Sequence, residues 1–507
     1  MPSLPNTTSP IPQTSDPQGF AVSASTGWNS RTWLLLVTLC GALFLDALDI
    51  SMVGVALPSI GRDLAMDTAI LQWIVSAYVL GYGGFLLLGG RVSDLLGRRR
   101  VFLAAVGVFG VASVISALST LDALIIALRF VKGVSAGFTV PAGLSIITTT
   151  FAEGPARNKA FSIYSACGAS GFSLGLVFGG FLTELSWRAT LLFPGPVALL
   201  LLVIGMRVVP RVAREKFSFA QFDLLGALSS TVSLLILVYA VVQAPEVGWA
   251  SAQTLALFAI STLLAVSFVV IELRHPHPLL RLGILRSVRL VHANVAGFVM
   301  FGGYAAFQFL ATLYVQGSLG WSPISMAVAF LPVGLIVVIS AIKIERVLDR
   351  FNTTVLVGVG LLAFGAAYLL FLRTSPGMSY WNFMFPTMVL LGIGFAVLFP
   401  AVNSQATAGV SDDEQGLASG LLNTFIQVGG AVMMAVVTAI MSSSGGARAG
   451  ELLPGMGTAV IAVAALTAVG LLITAVVLVV LRGDTAAGGG PSAGRLDLEE
   501  RELELTR

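Results

Sequence analysis

Apolar runs of about twenty residues recur along this chain, and they constrain its fold more than any other feature. A helix needs roughly that length to cross the hydrocarbon core of a bilayer. By this ruler about fourteen segments qualify. They lie near residues 33–57, 68–90, 100–120, 121–147, 158–183, 189–209, 222–243, 253–273, 290–316, 324–342, 354–372, 381–402, 415–441 and 457–481. Irregular backbone is not tolerated against lipid, so the segments are expected to be helices rather than strands. With 56% hydrophobic and 10% charged residues, the chain could not cover a soluble surface with polar groups. The expectation is an all-α polytopic membrane protein. The narrowest divide is "LSTLDALI", residues 118–125, where the third and fourth spans nearly fuse.

Orientation follows from Lys and Arg in the short loops. One set of loops carries Arg91, Arg98, Arg99, Arg100, Arg157, Lys159, Arg207, Arg211, Arg214, Lys216, Arg274, Arg281, Arg286, Arg289, Lys343, Arg346 and Arg350; the alternate set has only Arg62, Arg188, Arg373 and Arg448. The rich set is expected to be cytoplasmic, which puts both termini inside. Residues 1–32, rich in Ser, Thr and Pro, lack the basic start and apolar core of a signal peptide and read as a disordered cytoplasmic tail. Residues 482–507, Gly-rich and then charged, read as a second one. Between them lie a six-helix half at 33–209, two extra spans at 222–273 and a second six-helix half at 290–481. Arginine far outnumbers lysine, in keeping with a GC-rich bacterial genome, so a bacterial plasma membrane is the expected location.

Several classes are excluded. A net charge of +3 is too small to argue for nucleic acid. Cys40 and Cys167 both fall in apolar segments and read as free buried thiols. No Gly-Lys pair occurs, so there is no Walker A loop. Of the three histidines, His275, His277 and His292, none sits in an H-E-x-x-H frame, and the first two flank prolines in a solvated loop. The chain therefore reads as no enzyme, with no metal site and no cofactor, and its energy must come from an ion gradient or from the substrate.

The stretch "ALFLDALDISMVGVALP", residues 42–58, places Asp46 and Asp49 inside an apolar span. An acid near the bilayer centre costs about 2.5 kcal/mol or more. The pair lies about 20 to 24 Å along the helix from Trp33, and i, i+3 spacing puts both on one face. Two adjacent acids in a low dielectric do not both ionise without a partner, which suits one of them to picking up a proton near neutral pH. The alternative is a structural ion pair that exchanges no proton.

The loop "GGRVSDLLGRRRVF", residues 89–102, sets Asp94 within a basic cluster. Its Gly90, Asp94, Gly97 and Arg98 match the loop motif between the second and third helices of the major facilitator superfamily, which the chain therefore resembles. In that family the motif latches the two halves in the outward-facing state. Further stretches resemble the fourteen-span drug:proton antiporters of the superfamily. These are "LDISMVGVALP" (48–58), with Asp49 on the motif acid and Gly54 in place of the usual Asn, and "LQWIVSAYVL" (71–80). "LRFVKGVSAG" (128–137) has Arg129 and Gly133 in place but Lys132 for the usual Gln. "GFSLGLVFGG" (171–180) matches the antiporter motif through Gly171, Gly175, Gly179 and Gly180, with Leu176 for its proline, and "GLASGLLNTFIQVGGAVMMAVV" (416–437) matches the penultimate helix. The second half carries only a degraded echo of the loop motif, "KIERVLDRF" (343–351).

The resemblance implies a major facilitator fold: two six-helix bundles plus two extra central helices. It implies a proton-coupled antiporter that exports small hydrophobic, antibiotic-like compounds, driven by the proton gradient. The alternatives are a proton symporter or facilitator for one endogenous metabolite, and a non-transporting receptor. The expected partners are substrate, protons and lipid, and a monomer is the expected form. Gly171, Gly175 and Gly179 form one smooth stripe suited to close helix packing, whatever the function. Leu176 restores a backbone N–H and removes the kink a proline favours. Candidate cavity residues are Gln72, Trp73, Tyr78, Gln308, Tyr314, Asn403, Asn423 and Gln427; for each one a plain helix–helix hydrogen bond is the competing reading. In this fold the first and fourth helices face each other. Arg129 and Lys132 lie about 12 and 17 Å along the fourth span, which implies two rungs, Asp49 with Arg129 and Asp46 with Lys132. Asp223 and Glu272, at the cytoplasmic ends of the extra spans, are expected to be satisfied by snorkelling or solvent.

Overall fold

The computed structural model describes residues 28–151, 155–211, 223–275, 282–341, 343–375, 378–408, 410, 412–442 and 453–487. The terminal segments read as tails lie almost wholly outside these residues. The first bundle comprises α1 (Ser30–Asp63), α2 (Thr68–Leu96), α3 (Arg98–Leu118), α4 (Asp122–Thr150), α5 (Pro155–Leu185), α6 (Trp187–Leu192) and α7 (Pro194–Val208). The extra pair is α8 (Leu224–Val247) and α9 (Ala252–Arg274). The second bundle comprises α10 (Val288–Thr312), α11 (Pro323–Ala341), the short α12 (Ile344–Arg350), α13 (Thr353–Phe371), α14 (Tyr380–Thr407), α15 (Asp412–Ser442) and α16 (Met456–Ala487).

Among the described residues, 13 helices are long and apolar enough to cross a membrane, and α2 adds a shorter apolar stretch, Ile70–Leu86. The chain is an all-α, multi-pass membrane protein. The tight divide between the third and fourth spans is made by Ser119, whose hydroxyl accepts from the Leu121 amide at 3.1 Å before α4 begins. The sixth span is broken into α6 and α7 because Pro194 has no N–H to continue the ladder and instead starts a new helix. α10 continues into a π-helical segment, Leu313–Ser318, an insertion that often marks a functional site. α5 runs unbroken through Leu176, which is buried.

The two bundles meet along α5 against α11 and α2 against α15, and α8 packs on both α2 and α15. α9 lies outside α8, held to it by Ser233 and Ser261, whose hydroxyls each donate to the other's carbonyl at 2.8 and 2.9 Å. At the base of this pair Asp223 and Glu272 are 2% and 4% exposed, so burial in protein, not solvent, surrounds them. Cys40 is buried, Cys167 is half-buried, and both are free.

One end of the bundle collects the basic loops. There Gly97 takes φ +94°, which costs an L-residue about 1–2 kcal/mol and turns α2 sharply into α3. Arg98 donates to the Ser145 carbonyl of α4 at 3.2 Å, and Arg99 donates to the Val209 and Met206 carbonyls at 2.6 and 2.5 Å. The last carbonyls of α7 have no helical partners of their own, so Arg99 both caps them and anchors the loop. At the opposite end, Asp63 of α1 accepts from Trp187 Nε1 and Arg188 Nη1, each at 2.9 Å.

Candidate functional site

Close packing of α4 builds the site. At Gly133 a Cβ would lie 2.0 Å from the Tyr78 carbonyl oxygen, so only glycine lets α4 meet the α2 backbone here. That contact brings Arg129 Nε within 2.8 Å of the Ile74 carbonyl and sets its guanidinium 4.5 Å from the centroid of the Tyr78 ring. Across from α2, α1 is pressed onto α5. A Cβ at Gly175 would stand 2.1 Å from Ser51 Oγ and 2.6 Å from the Leu48 carbonyl. Gly171 and Gly179 meet Phe44 and Met52 of α1 in the same way. Gly180 instead faces the second bundle, where a Cβ would be 2.3 Å from that of Ala327 in α11. The glycine stripe thus fixes the height and rotation of α1, and with them the direction of its two acids.

Asp49 accepts from both cations of α4: Arg129 Nη1 bonds its Oδ2, and Lys132 Nζ bonds its Oδ1 at 2.5 Å. All three side chains are fully buried. Lys132 also lies 4.7 Å from the Phe109 ring centroid of α3. Asp46 is 4% exposed, and its Oδ2 has no hydrogen-bond partner. It lies within Coulombic reach of Asp49 and Lys132 but bonds neither.

The second rung implied by level counting is therefore not formed: Lys132 sits on Asp49, not on Asp46. Counting places a side chain at the height of its Cα. A four-carbon stem reaches further than the rise of about 4.5 Å between residues at i and i+3. One carboxylate with two oxygens accommodates both nitrogens.

The other sequence candidates scatter. Gln72 and Trp73 turn toward the extra pair: Gln72 Nε2 is 3.5 Å from the Val242 carbonyl of α8, and Trp73 packs on Tyr239 at 5.8 Å between centroids. Tyr78 covers Arg129 and so belongs to the ion cluster. Asn403 and Asn423 donate to the carbonyls of their own helices at Phe399 and Ser419, at 2.8 and 2.9 Å. Gln308 occupies the space beside Gly54, 3.1 Å from where a Cβ would stand, so a larger residue at 54 would displace it. Tyr314 is buried in the π-helical segment, and the Cβ of Gln427 lies opposite Gly83. Of the loop motif, Gly97 and Arg98 make the turn described above, and a Cβ at Gly90 would lie 3.7 Å from Pro141. The side chain of Asp94 lies outside the described residues.

An aromatic cluster at the seam of the two bundles was not anticipated. Phe172 of α5 lies 5.6 Å from Tyr304 of α10 and 6.3 Å from Phe395 of α14, and Phe364 of α13 lies 6.3 Å from Phe395. The signal was present in "FVMFGGYAAF", which repeats an aromatic every third residue at 298, 301, 304 and 307.

Two six-span bundles that meet on a seam, with an ion cluster buried inside one of them, define a membrane transporter. The sequence model of the Major Facilitator Superfamily matches residues 39–434, and the chain belongs to that family; it is a transporter and not an enzyme. The puromycin resistance protein pur8 of Streptomyces alboniger is 38% identical over 427 residues, covering 83% of this chain and 84% of that one. The cephamycin export protein CmcT of Amycolatopsis lactamdurans is 32% identical over 450 residues, covering 88% and 93%. Among solved structures, a proton-dependent oligopeptide transporter superposes with a TM-score of 0.63 at 15% identity, over 89% of this chain and 99% of that one, which speaks for the fold alone.

Proposed function

We propose that the chain is a proton-coupled exporter of small hydrophobic, antibiotic-like compounds in a bacterial plasma membrane, with the basic loops and both termini on the cytoplasmic side. The names of its relatives, a puromycin resistance protein and a cephamycin export protein, support the substrate class. The observation that carries the coupling is the buried Asp49–Arg129–Lys132 cluster beside an unpartnered Asp46.

The cluster works as a two-state element. Arg129 stays charged and holds Asp49 ionised. Lys132 has one mobile ammonium and two carboxylates within range. With a proton on Asp46, Lys132 rests on Asp49, the arrangement described above. When Asp46 ionises, an unpaired buried anion is costly, and Lys132 moves one rung to meet it. That shift loosens one of the two ties between α1 and α4, in the half-bundle whose α5 and α2 form the seam. Protonation and substrate binding then favour opposite sides of one alternating-access equilibrium.

Contacts between the bundles support a closed outer gate. Gln316 donates to the Val55 carbonyl at 2.9 Å, and Gly180 abuts Pro323 and Ala327, all toward the end opposite the basic loops. The aromatic cluster on the seam offers an apolar surface for a hydrophobic substrate.

The test uses everted vesicles and puromycin as probe. A lumen-acid gradient should drive accumulation in the parent and not in Asp49→Asn at equal abundance. Uptake indifferent to the gradient would sink the reading.

A further inference from the structure

His292 sits in the second turn of α10, 2% exposed, and no step above uses it. It ties together four helices of the second bundle. Its Nδ1 is 3.1 Å from Gln405 Oε1 of α14, and its Nε2 is 2.9 Å from Thr474 Oγ1 of α16. Gln405 Nε2 continues the chain to Thr354 Oγ1 of α13 at 3.1 Å.

Donor accounting shows what this site can hold. The Thr474 hydroxyl stands 2.8 Å from the Gly470 carbonyl and 2.9 Å from Nε2, and its one hydrogen can serve either. The Gln405 amide oxygen can only accept, so Nδ1 facing it carries a hydrogen. With the hydroxyl donating to Nε2 the ring is neutral; with the hydroxyl turned onto the Gly470 carbonyl, Nε2 carries a hydrogen too and the ring is imidazolium. Both protonation states therefore have a full set of hydrogen bonds at the same side chains.

We propose that His292 is a second proton-binding site, in the bundle opposite the Asp49 cluster, and that the Thr474 hydroxyl is its two-way partner. Proton uptake at Nε2 turns that hydroxyl onto the Gly470 carbonyl and changes the tie between α10 and α16. Arg289, on the preceding turn of α10, is exposed. No charged side chain occurs on α13 or α14. On α10 and the turn before it, Arg289 and Arg286 are both exposed. α15 begins at Asp412, Asp413 and Glu414, and the far end of α16 carries Arg482 and Asp484; those side chains lie outside the described residues. The α10 dipole disfavours a cation in its first turns, while the last turn of α14, where Gln405 sits, favours one.

That this site contributes to coupling rests on the antiport reading; that it binds a proton does not, and the experiment separates the two. The full chain carrying His275→Gln and His277→Gln keeps a single histidine. With ¹⁵N-labelled imidazole in lipid nanodiscs, its ring shifts are followed from about pH 5 to about pH 8.5, a window around the ordinary histidine range. One titration step is expected, with both nitrogens protonated on the acid side. Gln405→Glu should move the midpoint up by about one pH unit or more, because a carboxylate favours imidazolium. A ring that stays one neutral tautomer throughout, or a midpoint unmoved by Gln405→Glu, would overturn the site. In vesicles, His292→Asn at parental abundance should lose the acid limb of the transport pH profile; a profile that overlays the parent would remove its part in transport. A titrating His292 in a protein that moves no protons would sink the antiport reading alone.

Discussion

Removing the Asp49 carboxylate strands two cations at once, and the structure gives that loss a size. Arg129 and Lys132 are both fully buried, and both bond the same group. Breaking a buried pair by deleting one partner costs about 3–5 kcal/mol, because the other charge stays buried and unpaired. Asp49→Asn should therefore lose at least that much unfolding free energy. Lys132→Gln should cost far less. It leaves the Arg129–Asp49 pair intact and still offers an amide donor to Oδ1, so the loss is about the difference between a charged and a neutral hydrogen bond, roughly 1–2 kcal/mol. The double variant Asp49→Asn/Lys132→Gln removes one of the two stranded cations. It should be more stable than the sum of the single effects allows, with a coupling of about 0.5–3 kcal/mol. The assay is reversible denaturant unfolding of the four proteins in one detergent. Strict additivity would refute the claim that Lys132 and Asp49 act as a unit. Lys132→Gln is also expected to shift the pH profile of transport rather than abolish it, and Arg129→Ala to be close to inactive. A Lys132→Gln profile that overlays the parent would remove Lys132 from the coupling mechanism.

Other perturbations test other parts. Gly175→Ala brings a methyl into the Ser51 hydroxyl and the Leu48 backbone, and should lower stability by about 1–3 kcal/mol, measured as a fall in melting temperature in detergent. Asp94→Asn should leave membrane abundance intact and remove most transport; normal transport at equal abundance would end the latch reading. Asp223→Asn and Glu272→Gln, at the base of the outlying helix pair, should each keep proton-coupled export. Loss of coupling in either, with folding retained, would move the proton path to that pair.

The spans were legible in the sequence because lipid enforces a length and an apolar composition on each one. The sequence ruler ends within a few residues of most helices: 353–371 is found where 354–372 was read. The acids were legible because charge in an oil-like segment is conspicuous. Their pairing was not, because the reach of Lys132 exceeds the spacing of the rungs. Nor was the direction of Gln72 and Trp73. A span surrounded by lipid and protein is apolar on all sides, so its periodicity does not separate a face toward α8 from a face toward the seam. His292 gave no signal, since its partners lie 113 and 182 residues away and are ordinary Gln and Thr. Even the solvation expected for Asp223 and Glu272 failed for a related reason. Their position at span ends was read correctly, but the packing of α8 on α9 was invisible.

The central claim is exchange, a proton in for a substrate out, and one measurement addresses it directly. The parent protein is reconstituted into proteoliposomes with a pH-sensitive dye trapped in the lumen and no imposed gradient, and puromycin is added outside. Exchange predicts that the lumen becomes more alkaline as the compound enters, and that Asp49→Asn abolishes the signal. Lumen acidification would show symport, and an unchanged lumen during measurable puromycin entry would show uncoupled transport; either result would contradict the account.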